Sequence, residues 1–365
     1  MLKICVKEDF IEKIDNIENI ICFGAGKRVK LFEKFFSGTD IWDKIKFFID
    51  NDKSKYNSKV NLKNKEIEIV PFDYLKNIDL SRTIFYITCE KYSDILTQIE
   101  EEKSISDIET YCLTHQLALE KERLAMRKEL PKCLKRSSVI QIPKIIHYCW
   151  FGENPLPDKH KKWMESWNRF CPDYEIIEWN EKNYDITKYK YMKQAYEEKK
   201  WGFVPDIARL DIIYKYGGVY LDTDVELVQN LDELLWQKGF VGFESDDYIN
   251  LGLGFGAVKG LSIIQEMLKQ YEKIEFINED GNLNLIPSPI WQTNFLKQKG
   301  LITNGEYQIV DDLTIYPEKM LCGKSNQSRR IRLTSYTRAI HHFDGSWLDG
   351  EVKNKVFRFE TEMNG

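Results

Sequence analysis

The chain has 365 residues, a net charge of −5 and a composition of 42% hydrophobic and 30% charged residues, which is typical of a globular protein. This length exceeds one typical hydrophobic core and predicts two domains. The slightly acidic balance argues against nucleic acid as a partner and gives no general reason for binding to anionic lipid.

The sequence carries no clear targeting or membrane-spanning segment. No apolar stretch approaches the roughly 20 residues that span a bilayer. The N-terminal stretch MLKICVKEDFIEKIDNIENI is charged throughout, so no signal peptide is expected. The eight cysteines are scattered without a CxxC pair, which favours small core residues in a reducing compartment over zinc ligands. The expected location is the cytoplasm, with the inner face of the membrane as a candidate contact.

Residues 1–138 predict a small Rossmann-like α/β domain that ends in a helical connector. The apolar strand NIICF is followed by Gly24 and Gly26, a helix, and a second strand that ends at Asp50. In a dinucleotide site the glycines would approach a pyrophosphate and Asp50 would bind a ribose hydroxyl. Val29 replaces the third glycine of that motif, and a tight turn requires glycine in any case. A structural or regulatory role is therefore preferred over a bound nucleotide.

Residues 139–365 predict a second α/β domain, because strands and helices alternate along the chain. A first apolar strand ends at Trp150, and the amphipathic helix DKHKKWMESWNRF follows. The helix PDIARLDIIYKY ends at a pair of glycines and leads into the strand VYL, which delivers Asp222 and Asp224.

The acids at the end of this buried strand predict a metal site. Asp222 and Asp224 lie on the same side of an extended chain, and two adjacent carboxylates repel each other unless a cation lies between them. Mg²⁺ and Mn²⁺ prefer carboxylate oxygens and leave positions free for phosphates. Asp206 and Arg209 are three residues apart and share one face of the preceding helix. The alternative is a solvated turn beside a surface ion pair.

Three blocks of the second domain resemble the DXD-containing sugar transferases: IPKIIHYCWFG, PDIARLDIIYKYGGVYLDTDVEL and AIHHFDGSW. That family includes capsular-polysaccharide sugar transferases and fungal α-1,6-mannosyltransferases, and it is related to the glucosyltransferase domains of large bacterial toxins. The resemblance covers roughly residues 140–350, with the blocks in the family's order. It implies a GT-A-type α/β fold and a retaining, metal-dependent glycosyltransferase.

The resemblance also implies roles for individual residues around the sugar nucleotide. Trp150 matches the tryptophan that stacks on the nucleotide base, and Tyr220 matches a residue near the nucleoside. Asp206 and Arg209 match the pair that holds the donor sugar and, through the arginine, its phosphate side.

A further set of matches implies the metal site and a closing tail. Asp222 and Asp224 match the DXD acids, and His342 falls where relatives place another metal ligand, for Mn²⁺ or Mg²⁺. Ser346 and Trp347 match the tail that closes over the diphosphate. Asp222 is also expected to contact the donor. The residues expected to act in catalysis are Arg209, Asp222 and Asp224.

The expected reaction moves a hexose from a sugar nucleotide, with a UDP-sugar as the preferred donor, to a hydroxyl of a glycan or lipid-linked acceptor. The expected pathway is capsular or cell-surface polysaccharide synthesis. A metal-dependent phosphohydrolase and a catalytically silent nucleotide-binding protein are the rivals. Phosphoaspartyl chemistry is disfavoured, because Glu226 stands where a threonine would be needed. Asp211 and Glu226 are explained as charges that keep the helix and the strand soluble.

Overall fold

The computed structural model describes residues 1–345 and 350–364. These residues form two compact units, Met1–Arg123 and Leu124–Asn364. The division falls within a helix and closer to the N-terminus than the predicted boundary at residues 138/139, which stays a prediction. No helix within the described ranges is long and apolar enough to cross a bilayer.

The first unit is built on a largely parallel sheet. Its strands follow one another across the sheet in the order β3-β4-β2-β1-β5-β6, and β3 is antiparallel to β4. The strands are β1 Asn19–Phe23, β2 Ile45–Ile49, β3 Lys59–Leu62, β4 Lys65–Val70, β5 Thr83–Ile87 and β6 Thr110–Cys112, and the helices are α1 Lys7–Lys13, α2 Val29–Phe35, α3 Tyr92–Glu101 and α4 Leu113–Arg127.

The glycine turn of this unit has a structural explanation. Gly24 has a φ of +99°, and a Cβ there would lie 2.5 Å from the Cβ of Cys89. The Asp50 carboxylate accepts a hydrogen bond from the backbone N–H of Ala25 at 2.8 Å and forms an ion pair with Lys55 at 2.9 Å. Both features predicted for a dinucleotide site thus serve the turn itself, which supports the structural interpretation.

The second unit contains a mixed sheet in the order β14-β15-β11-β13-β9-β7-β8, with β12 paired to β11, and a separate β10–β16 pair. Its strands are β7 Ile145–Cys149, β8 Glu175–Trp179, β9 Gly218–Tyr220, β10 Val225–Leu227, β11 Gly239–Ser245, β12 Tyr248–Asn250, β13 Phe255–Ala257, β14 Gln308–Val310, β15 Leu313–Tyr316 and β16 Ala339–His341. Its helices are α5 Asp158–Phe170, α6 Lys190–Glu197, α7 Pro205–Tyr216, α8 Ser262–Tyr271, α9 Ser288–Gln298, α10 Glu318–Leu321 and α11 Gly350–Asn364.

Strand β9 lies inside this sheet, between β13 and β7, and its side chains enter the core on both faces. Val219 packs on one face with Trp167, and Tyr220 packs on the other with Ile207. Successive side chains of a strand point to opposite faces of the sheet, and both faces are buried here. The predicted α/β class is confirmed: both units are α/β, and a smaller, largely parallel unit precedes a larger one with a mixed sheet.

A fragment of residues 124–365 is expected to fold alone and to contain the whole donor site, whereas 140–365 is expected to be less stable. Leu130 and Leu134 pack into the core of the second unit, and the loss of one buried leucine costs about 2–5 kcal/mol. Urea unfolding of both fragments, with donor binding by calorimetry, measures this. Equal stability of the two fragments would contradict the packing argument, and a folded 124–365 that binds no donor would contradict the location of the site.

Candidate active site

Helix α7 and strand β9 place three of the predicted residues together. Pro205 starts the helix, and Gly217, with a φ of +72°, ends it, so the chain reverses directly into β9. Arg209 Nη2 donates to Asp206 Oδ1 at 2.9 Å, and Nη1 lies 3.5 Å from Asp222 Oδ2. Both members of the helical pair are only 4% exposed, which rules out the surface ion pair.

Asp206 and Arg209 form a buried pair in which burial opposes the charge of the carboxylate. Burial raises the pKa of Asp206 to about 6, although the neighbouring Arg209 opposes the shift. The Arg209 guanidinium also lies over the ring of Tyr220, with its Cζ 5.1 Å from the ring centroid. Because both side chains are held from several directions, Arg209 is oriented before any ligand arrives.

The two DXD carboxylates lie beside a histidine from the far end of the chain. Ligand atoms of Asp222, Asp224 and His341 lie within 4.8 Å of one another. His341 Nε2 is 3.2 Å from Asp224 Oδ1, and the backbone N–H of Asp344 donates to Asp224 Oδ2 at 3.0 Å. Burial alone would raise the pKa of Asp224, but His341 and the Asp344 amide outweigh it and lower the pKa. Two carboxylates and an imidazole fit a divalent cation.

The structure corrects the predicted histidine ligand. The antiparallel pairing of β10 with β16 sets His341 opposite Val225, next to the DXD turn. His342 lies elsewhere: its Nε2 is 2.9 Å from Glu226 Oε2, and its ring stacks on Trp163 at 4.1 Å. The sequence offered no signal to choose between the two adjacent histidines, because the choice depends on the register of this pairing.

The carboxylates around His341 favour positive charge at this position. Burial lowers the pKa of His341, but the neighbouring Asp224 and Asp222 carboxylates outweigh this effect, and the pKa is raised. For His342, burial lowers the pKa and the ion pair with Glu226 only partly offsets it. Positive charge is therefore favoured at His341, where the DXD carboxylates converge.

A cleft of about 630 Å³ opens above these groups. Trp150 lines it and is half-buried, so it is not a core tryptophan, and its indole N–H donates to the carbonyl of Asn154 at 2.6 Å. Tyr220, in contrast, is 1% exposed and is not one of the residues that line the cleft. Its hydroxyl donates to Asp222 Oδ1 at 3.1 Å, which makes it a support for that carboxylate rather than a contact for the nucleoside.

Helix α5 connects the DXD turn to the C-terminal segment through residues that the sequence analysis did not identify. His160 Nδ1 is 2.8 Å from the Thr223 hydroxyl, and its Nε2 is 3.1 Å from Asp344 Oδ2. The His160 contact lowers the pKa of Asp344 to about 2, with burial opposing and Lys159 adding to it. The predicted tail residues Ser346 and Trp347 lie outside the described residues.

The turn beneath Asp222 is built by residues to which the sequence analysis gave no function. Asn250 Nδ2 donates to Glu244 Oε2 at 2.9 Å, and its Oδ1 accepts the N–H of Gly252 at 2.6 Å. The Gly252 carbonyl in turn accepts the N–H of Asp222 at 3.2 Å. Asn250 therefore positions the backbone against which the DXD carboxylate lies.

Asp211 has a structural role that corrects its interpretation as a solubilising charge. It is 6% exposed and accepts hydrogen bonds from the hydroxyls of Tyr184 at 2.9 Å and Tyr189 at 3.1 Å, and from Lys188. The sequence showed no signal for this network, because helix α6 separates the partners of Asp211 from α7 in the chain.

Asp211→Ala is expected to lower the free energy of unfolding by about 3 kcal/mol, because it removes a buried acceptor and leaves the part-buried hydroxyls of Tyr184 and Tyr189 without it. Chemical denaturation measures the change. Glu275→Ala, which removes an exposed carboxylate paired with Lys190, is the control and should cost less than about 1 kcal/mol. Equal effects of the two changes would show that the Asp211 network adds nothing beyond a surface pair.

Comparison with known proteins agrees with this geometry. Residues 157–241 match the model of the family described as the glycosyltransferase sugar-binding region containing the DXD motif. This region belongs to the DXD-containing glycosyltransferase family. It holds Asp206, Arg209, Tyr220 and both DXD acids, so the resemblance found in the sequence is confirmed where the site is formed.

Several characterised proteins are similar to part of the chain. Inositol phosphoceramide mannosyltransferase 3 of Schizosaccharomyces pombe is 31% identical over 139 residues, which are 37% of this chain and 38% of that protein. Mannosyl phosphorylinositol ceramide synthase SUR1 of Saccharomyces cerevisiae is 35% identical over 104 residues, 27% of each chain. The chain thus spans well under half the length of these relatives. The solved structure of PaToxG glycosyltransferase is 17% identical, with a TM-score of 0.36 over 51% of this chain and 77% of its own.

Proposed function

We propose that the protein is a metal-dependent hexosyltransferase that moves a hexose from a sugar nucleotide to a hydroxyl group of a glycan or a lipid-linked acceptor. The observation that carries the proposal is the convergence of Asp222, Asp224 and His341 beside Arg209 on the wall of one cleft. The family of region 157–241 and the names of the relatives support the same reaction class.

The metal site is proposed for Mn²⁺ or Mg²⁺, held by Asp222, Asp224 and His341. Carboxylate oxygens suit both ions, and the imidazole nitrogen favours Mn²⁺ over the harder Mg²⁺. When bound, such an ion would supply positive charge where the leaving diphosphate becomes negative. His341, which lies beside both carboxylates, takes the place of the predicted ligand His342 in this proposal.

The chain's own residues then have distinct tasks. Arg209, oriented by Asp206 and Tyr220, presents its guanidinium next to Asp222 and can stabilise the phosphate charge that develops in the transition state. Asp206 can accept a hydroxyl of the donor sugar, and Trp150 offers a half-buried ring for the nucleotide base. The reaction is proposed to retain the anomeric configuration by front-face attack of the acceptor, and no residue is assigned as base.

The donor is proposed to be a UDP-hexose or, since the relatives are named mannosyltransferases, a nucleotide-linked mannose. We propose that the product is used in the synthesis of capsular or other cell-surface glycans or glycolipids. The proposed location is the cytoplasm, at the inner face of the membrane. The half of the cleft formed by Asp206 and Arg209 would bind the hexose in either case.

Product analysis tests the proposal. The full chain is incubated with UDP-glucose, UDP-galactose, UDP-N-acetylglucosamine or GDP-mannose, each with Mn²⁺ or with EDTA, and products are separated by mass. A free nucleoside diphosphate with a glycosylated acceptor, or with free sugar, is expected only with Mn²⁺. Release of a sugar phosphate would identify a phosphohydrolase instead, and binding without turnover of any donor would identify a silent nucleotide-binding protein. Arg209→Met is the inactive reference.

A further inference from the structure

A second groove of about 370 Å³ lies beside the cleft in the same unit. Arg329 lines both the cleft and this groove, so its side chain forms part of the wall between them. The other groove residues include Lys324, Ile331, Phe357 and Glu360. The groove therefore joins the candidate active site to a surface formed by the segment before β16 and by helix α11.

Arg329 is a cation without an ion pair among residues 1–345 and 350–364. Its Cζ lies 4.8 Å from the ring centroid of Phe343, and its Nη1 is buried with no hydrogen-bond acceptor in those same ranges. Burial lowers the pKa of Arg329, while the more distant Glu360 and Glu244 carboxylates oppose the shift. A partly desolvated guanidinium with unused donors is costly, and an anionic oxygen would relieve that cost.

The neighbouring cation in the groove is already neutralised. Lys324 Nζ lies 2.6 Å from Glu360 Oε1 and also donates to the carbonyl of His342 at 3.2 Å. Of the described lysine and arginine side chains that line the groove, Arg329 is therefore the one available to a ligand. Its planar fork of N–H donors is suited to a phosphate group.

Two apolar side chains flank the same groove and are exposed. Ile331 is 47% exposed, and Phe357 on α11 is 73% exposed. Exposure of a large aromatic side chain to water costs free energy in proportion to its apolar surface. A hydrocarbon chain that packs on this side chain would remove that surface from water. Among the residues that the structure describes, the groove thus combines an available cation with apolar edges, which is the pattern that complements an anionic amphiphile.

We propose that Arg329 binds the phosphate of an anionic lipid acceptor and that Ile331 and Phe357 contact the adjoining hydrocarbon. The proposal names the acceptor class for the transferase reaction proposed above and rests on it for the transfer step. The donor's diphosphate is a poorer occupant, because Arg209 and the DXD carboxylates already form its site and apolar edges add nothing to its binding.

Binding of octyl phosphate to the full chain in EDTA tests the proposal without any donor or metal. Calorimetry compares it with inorganic phosphate, which lacks the chain, and with octyl glucoside, which lacks the charge. Octyl phosphate is expected to bind most tightly. Arg329→Met should weaken it about tenfold or more, since a charged hydrogen bond is lost, and Phe357→Ser by about threefold or more.

Matched variants separate the proposal from general effects of substitution. Arg169→Met removes an exposed arginine that also lies over a phenylalanine ring, and Ile302→Ser removes an isoleucine that is 64% exposed. Neither residue lines the cleft or the groove, and neither change should alter binding. Octyl phosphate affinity that is unchanged in Arg329→Met, or equal to that of octyl glucoside in the unmodified chain, would overturn the proposal.

A second measurement distinguishes the acceptor from the donor and this proposal from the proposed function. Binding of UDP or GDP with Mn²⁺ is expected to stay within about twofold of the unmodified chain in Arg329→Met. If that variant loses nucleoside diphosphate and keeps octyl phosphate, Arg329 serves the donor and the acceptor assignment is wrong. If neither the unmodified chain nor any variant binds nucleoside diphosphate, the transferase proposal fails. Binding of octyl phosphate then still tests the assignment of Arg329 by itself.

Discussion

Asp224→Asn is expected to abolish the Mn²⁺-dependent binding of nucleoside diphosphate. Changes in the outer shell of a metal site already cost about 10–100-fold in affinity, and the loss of a direct carboxylate ligand should exceed that range. Asp224 is the acid that contacts both His341 and the Asp344 amide, so no neighbouring carboxylate can take its place. Calorimetry with Mn²⁺ and UDP or GDP measures the loss.

The same change is expected to lower stability by about 1–2 kcal/mol, because a charged hydrogen-bonding partner of His341 is lost. The solvated turn that the sequence analysis gave as the alternative would predict little effect on stability. The structure corrects this, since the side chain is only 13% exposed and is hydrogen-bonded from two sides. Asparagine keeps an acceptor for the Asp344 amide, so the fold should survive.

A thermal melt beside the calorimetry separates the two effects, and Asp173→Asn is the control. Asp173 is 56% exposed, pairs with Lys144 and does not line the cleft. Metal-dependent affinity within about threefold of the unmodified chain in Asp224→Asn would remove Asp224 from the metal site. A melt that shows no folded Asp224→Asn protein would instead show that the acid is needed for the fold.

Gly252→Ala is expected to lower donor binding and turnover by about tenfold to a hundredfold through a single added carbon atom. A Cβ at this position would lie 2.1 Å from Asp222 Oδ2 and 3.1 Å from Arg209 Nη1. The Asp222 carboxylate must then rotate away from Arg209 and from the candidate metal position. Because the clash involves the end of a side chain, the fold should lose only about 1–3 kcal/mol.

Turnover and donor affinity, measured beside a denaturation curve, distinguish this displacement from unfolding. Gly26→Ala in the first unit is the matched control, since a Cβ there meets no atom within 4 Å. The decisive comparison is between Gly252→Ala and Asp222→Ala. If the alanine at 252 leaves activity unchanged while the loss of Asp222 abolishes it, Asp222 tolerates the displacement and the close approach of Gly252 is not functional.

The sequence by itself determined the part of the site that is local in the chain. Asp206 and Arg209 are three residues apart on one helix, and Tyr220, Asp222 and Asp224 follow a glycine stop within five residues, where β9 passes into the DXD turn. Helical periodicity places the first two residues on one face, and closeness in the chain keeps the other three together whatever the rest of the chain does. The α/β class followed from the same alternation of local patterns, and the resemblance to the sugar transferases rested on these motifs.

Only the tertiary structure decided which distant groups join them. The register of β16 against β10 selects His341 rather than His342, and a shift of one residue would reverse that choice. The close approach of Gly252, the burial of Asp211 and the position of Arg329 between cleft and groove also depend on contacts between segments that are distant in the sequence. Such contacts are set by packing and by strand register, which leave no periodic signal in the sequence.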